Sequence, residues 1–101
     1  MNDEPLNGDR AKTKLSRCLE ESVVIYSRHF RVELTNDDLT MEDILLVCRS
    51  GAIVMAAEKD IKTGQWKYRI EGITVEMRRI AVVFTFRNER AVFITVFERT
   101  A

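Results

Sequence analysis

An α+β fold, with N-terminal helices packed on one face of a mainly antiparallel sheet of about four strands, is predicted by three features of this sequence. Between Asp9 and Gly51 apolar residues recur at the three-and-four spacing of helices, behind residues suited to capping. From Ile53 onward the pattern changes from helical to extended, and from Trp66 it alternates with a period of two, the spacing of strands. The chain has 101 residues, 46% of them apolar, which suits one core and is too little for two.

Residues 1–8, with Pro5, Asn7 and Gly8, lack periodicity and are expected to form a flexible tail ahead of a single domain over 9–101. Asp9 is placed to cap a first helix whose stripe is Leu15, Cys18, Leu19 and Ser22. Val23 to Tyr26 is β-branched and aromatic, which suits a short strand or an extended connection. Ser27 then caps a second helix that turns Phe30 and Leu34 inward, until Asn36, Asp37 and Asp38 interrupt it. Thr40, with Asp43 three residues on, starts a third helix that would bury Met41, Ile44, Leu45 and Cys48, and Gly51 stops it.

Ile53 to Glu58 has the pattern of a modest strand, and Lys59 to Gln65 that of a turn. Trp66, Tyr68 and Ile70 alternate with Lys67, Arg69 and Glu71, so one face is packed and the other is wet and charged. Ile80, Val82, Phe84 and Phe86 share a parity in the next strand, and Arg87 to Arg90 connect it to Ala91–Glu98. That last run is nearly all apolar, as an interior strand requires.

The 16 basic and 16 acidic side chains cancel, so no global charge draws the chain to nucleic acid or to a membrane. They are unevenly spread, however: residues 1–61 hold eight basic and twelve acidic side chains, and residues 62–101 hold eight and four. The sheet half is therefore basic. No apolar run approaches the roughly 20 residues that span a bilayer, and residues 1–8 do not have the pattern of a secretory signal, so a cytoplasmic protein without membrane contact is expected. Cys18 and Cys48, with a single histidine in the chain, assemble no zinc site and read as buried thiols. The scattered glycines form no phosphate-cradling loop, and the acidic run Asp37, Asp38, Glu42, Asp43 lacks the spacing of a calcium loop. No metal and no cofactor are expected.

Two sets of residues are candidates for chemistry. His29 is the chain's one histidine, the side-chain type that exchanges protons near neutral pH, and Glu33 lies one helical turn away to orient it. An ordinary surface histidine fits the same position. Lys67, Arg69 and Arg79 would project from the sheet face opposite the helices, a fixed cationic patch for an RNA phosphate. Glu71 and Glu76 could equally make this a balanced solvated face. Trp66 and Tyr68 share the parity of Ile70, which favours a core role over stacking on bases.

The order Ser27-Arg28-His29, Leu39-Thr40-Met41-Glu42-Asp43-Ile44, Gly51, Trp66-Lys67-Tyr68-Arg69-Ile70-Glu71-Gly72 and Phe93-Ile94-Thr95-Val96-Phe97 resembles the domain-of-unknown-function family 4258. Members of that family are similar to the RelE and BrnT toxins of bacterial toxin–antitoxin systems. The resemblance covers roughly residues 23–98 and implies a RelE-like two-layer fold. It also implies a metal-independent endoribonuclease of the mRNA interferase type, with the RNA 2′-hydroxyl as nucleophile and an antitoxin protein as partner. His29 matches the family histidine, and Lys67 and Arg69 fall in the charged strand motif. The family's arginine four places after the histidine, and its arginine-glycine pair before the next helix, are replaced here by Glu33, Asp37 and Asp38. Under this reading His29, Arg69 and Lys67 are catalytic, and Lys67, Arg69 and Arg79 bind RNA phosphate. The alternative is a non-catalytic protein-interaction module of the same fold, which the lost cations favour.

Overall fold

The computed structural model describes residues 4–99. Three helices come early: α1 (Gly8–Glu20), α2 (Arg28–Asn36) and α3 (Met41–Ser50), with the short strand β1 (Val24–Tyr26) between the first two. Four strands follow: β2 (Glu58–Lys59), β3 (Trp66–Ile73), β4 (Arg79–Arg87) and β5 (Arg90–Glu98). The result is a two-layer α+β architecture on a five-stranded sheet ordered β1-β5-β4-β3-β2.

Each helix start has a local cause. Ser27 accepts from the Phe30 amide at 3.1 Å, and Thr40 and Asp43 exchange side-chain and backbone hydrogen bonds in a capping box. For α1 the cap is Asn7, which accepts from the Arg10 amide at 2.9 Å, and not Asp9. Gly8 can take the first helical position, and so the helix begins sooner than its apolar stripe. The expected tail is correspondingly shorter. Leu6 packs against the core, and its amide donates to the Tyr68 hydroxyl at 3.0 Å. Residues 1–3 of that tail lie outside the described residues.

The inward stripes are Ala11, Leu15 and Cys18 on α1, Phe30 and Leu34 on α2, and Ile44, Val47 and Cys48 on α3. Ser22 does not join the first stripe: it follows the helix with a φ of 58° and is exposed. Leu45, expected inside, is only half-buried, because Val47 takes the core position on the face of α3 that meets the sheet. Those stripes close on Tyr68, Ile70, Ile80, Val82, Phe84, Phe93 and Val96 from the sheet. Phe93 is the aromatic centre, stacked on Tyr26 and Phe30 with ring centroids 5.4 Å away in both cases.

β3, β4 and β5 form an antiparallel meander, while β1 pairs with β5 in parallel, Val24 opposite Ala91 and Tyr26 opposite Phe93. The strand expected over Ile53–Glu58 is reduced to the two residues of β2 and an isolated Ala52–Glu71 bridge. Gly51 explains why. It brings the end of α3 against β3 at Gly72, where an added Cβ would meet Gly51 Cα at 3.2 Å and Val47 Cα at 3.3 Å. With the helix that close, the chain touches the β3 edge at Ala52, leaves it, and returns at Glu58.

Candidate functional site

Alternation along β3 decides which side chains are available. Tyr68 and Ile70 point into the helix-covered core, so Lys67, Arg69 and Glu71 stand on the face that no helix covers. Their cross-strand neighbours are small or apolar: Val83 and Thr95 lie in the row of Arg69, Ala81 and Phe97 in the row of Glu71. This floor lets the long cationic side chains lie across it.

A cleft of ≈190 Å³ opens beside the two cations, bounded by Met55, Glu58, Val83, Ile94 and Thr95. Its shape follows from a bulge. Val83 pairs with Thr95 but Phe84 pairs with Phe93, so Ile94 is an extra residue that bends β5 at this point. The volume is below the roughly 300 Å³ at which small-molecule pockets begin. A phosphate group fits beside the two cations, with the rest of a polynucleotide left in solvent.

Arg69 is held on three sides. Its Nε lies 3.0 Å from a Glu71 carboxylate oxygen, its guanidinium carbon sits 5.8 Å from the centre of the Phe97 ring, and an Nη contacts the Met55 sulfur. The Glu71 contact is close but poorly directed, since Arg69 Nε is buried without a hydrogen bond in acceptable geometry. Glu71 is shared, with Arg99 Nη1 3.2 Å away. Two arginines thus divide one carboxylate, which leaves a net positive charge there. Lys67 is half-buried opposite Glu58, and its charge helps to hold the Asp60 carboxyl below its ordinary range, after the larger effect of hydrogen bonds from the Thr63 and Lys62 amides.

The remaining candidates are elsewhere. Arg79 is exposed on the same face, but four residues before Val83 along β4, roughly 13 Å from the row of Arg69. His29 is exposed in the first turn of α2, on the layer opposite Arg69, and follows β1. That helix packs on β5, two strand spacings or about 10 Å of sheet from β3, so the sheet itself as well as β4 stands between His29 and Arg69. One phosphate cannot meet both His29 and Arg69. His29 and Glu33 are in no ion pair among the described residues.

Sequence reading missed Met55, Ile94, Thr95, Phe97 and Arg99. Register brings Ile94, Thr95 and Phe97 beside Arg69, with a bulge at Ile94 that no glycine marks, while Met55 reaches Arg69, and Arg99 reaches Glu71, from outside the strands. Among the described residues no group of His, Cys, Asp and Glu side chains is placed to hold a metal, and no helix is long and apolar enough to cross a membrane.

Residues 26–98 match the family model described as Domain of unknown function (DUF4258). No match was found among curated proteins or among solved structures.

Proposed function

For a chain that belongs to the DUF4258 family and carries Lys67 and Arg69 on an uncovered sheet face, we propose a binding module that takes phosphate groups of single-stranded RNA without cleaving them. The observation that carries this reading is the separation of His29 from the cations. General acid–base assistance requires hydrogen-bond reach of the reacting atoms, and His29 stands on a helix that packs on β5, two strand spacings from β3 and on the other layer of the sheet. Lys67 and Arg69 can still contact phosphate in the ground state, and Arg69 must be drawn from Glu71 to do so, which keeps binding weak. A cytoplasmic setting fits, because RNA is there and the unpaired thiols of Cys18 and Cys48 suit a reducing compartment.

The second reading is a RelE-like, metal-independent endoribonuclease of a bacterial toxin–antitoxin system, with an antitoxin as its protein partner. What favours it is the placement of Lys67 and Arg69 two residues apart on a rigid strand. Fixed cations of that kind stabilise charge as it develops on a phosphate.

One experiment separates the two. Purified protein is incubated with mixed-sequence RNA in excess chelator, bound RNA is measured by filter binding, and fragments and their ends are analysed. The expected result is salt-sensitive binding without fragments, weakened about tenfold by Lys67→Gln with Arg69→Gln and unchanged by His29→Ala. Fragments whose formation is lost in the Lys67→Gln, Arg69→Gln double variant would replace the module with the nuclease, and an absence of binding at low salt would remove RNA altogether.

A further inference from the structure

The turn between β3 and β4 is rigid yet apolar at its tip. Val75 is 82% exposed and Met77 is 76% exposed. Met77 has a φ of 65°, a left-handed conformation that persists in an unbranched side chain only where the surroundings fix it. Here they do. Thr74 and Arg78 close the turn with amide and hydroxyl hydrogen bonds, and the Arg78 guanidinium reaches the Asp37 carbonyl at 2.7 Å, the Asp38 carbonyl at 3.1 Å and the Glu98 carboxylate at 2.9 Å. The turn is thereby fastened both to the α2–α3 connection and to the end of β5.

Val75 and Glu76 of this turn face the outer side of α3 across a groove of ≈580 Å³. The half-buried Leu45 and Leu46 of α3 supply its apolar wall, while Glu42, Asp43 and Glu76 set against Arg49 make its rim acidic. We infer that this groove docks a basic amphipathic helix from another protein, with apolar side chains seated between Leu45, Leu46 and Val75 and its cations on the acidic rim. The opposite charge of the rim selects a basic occupant. Side-chain docking is the mode that fits, because the wall is a helix whose backbone is satisfied internally, so no strand can add there. A second copy meeting groove to groove would set acidic rim against acidic rim. The surface is distinct from the Lys67–Arg69 cleft, which lies toward the other end of β3, so either can fail without the other.

The test uses a fluorescent peptide of about five helical turns, made of Leu and Lys with the leucines on one face. Two controls accompany it: one with the same composition and scattered leucines, and one with Glu in place of Lys. Anisotropy titration should give binding of the patterned Leu/Lys peptide that exceeds both controls by about tenfold. Val75→Asp should weaken it by about tenfold, and Glu42→Lys with Glu76→Lys should weaken it similarly. Val75 is exposed, so the thermal midpoint of Val75→Asp should not change, and RNA retention by that variant should match that of the parent chain. Equal binding of the scattered control, or no effect of either variant, would overturn the inference. So would concentration-dependent self-association in sedimentation that Val75→Asp abolishes, since the groove would then hold a second copy.

Discussion

A methyl group added at Gly51 would lie 2.4 Å from the Glu71 carbonyl oxygen and 2.5 Å from that of Val47, both backbone atoms with no freedom to turn aside. Gly51→Ala should therefore destabilise the fold by about 1–3 kcal/mol, the usual cost of overpacking, read as a lower urea midpoint. A second residue-level expectation concerns acid. The hydrogen bond from Arg78 holds the Glu98 carboxyl below its ordinary value. A group lowered in the folded state adds stability above its unfolded pKa, about 4.3 for glutamate, and that stability is lost as pH falls through the lowered value. Melting curves between about pH 7 and pH 3 should accordingly show a smaller acid loss for Glu98→Gln than for the parent chain. At this scale the sequence was readable for two of the three helix starts, Asp9 having given way to Asn7 because Gly8 extends the helix ahead of its apolar stripe. Ser27 and Thr40 cap as expected because capping needs only neighbouring amides. Arg78 showed nothing in advance, since its partners come from the α2–α3 connection and from β5.

Among the elements, α3 joins the legible and the illegible. Its start, stop and the inward placement of Ile44 and Cys48 follow from spacing and caps, but Leu45 was misplaced because Ile44 to Cys48 is an unbroken apolar run that defines no single stripe. Thr40→Ala should cost about 1 kcal/mol through the lost capping box, measurable as a lower thermal midpoint. The strand expected over Ile53–Glu58 failed for a related reason. Its apolar composition suited a strand, but composition does not guarantee a partner, and α3 crowds the β3 edge at Gly51 and Gly72. β1 was the opposite case: three residues of strand composition whose parallel partner lies at the far end of the chain.

For the whole molecule, zero net charge hides a division between an acidic helical half and a basic sheet half. RNA held by Lys67 and Arg69 alone should lose affinity with salt at a log–log slope of about −1.4, roughly −0.7 for each phosphate neutralised on a single strand. A steeper slope would bring in further cations, Arg79 or Arg99 first. The cationic face was readable from parity on one strand. Its distance from His29 was not, because that depends on strand order, and strand order depends on β1 inserting beside β5. The same pairing governs how the molecule can be made. A ribosome delivers the amino end first, so Val24–Tyr26 emerges long before Ala91–Phe93, and Tyr26 and Phe30 have no Phe93 to stack on in the interval. The nascent helices must then remain without their sheet until β5 has cleared the exit tunnel, so the finished domain forms late, and Tyr26 and Phe30, still lacking Phe93, are the aromatic surface that a chaperone would meet in the interval.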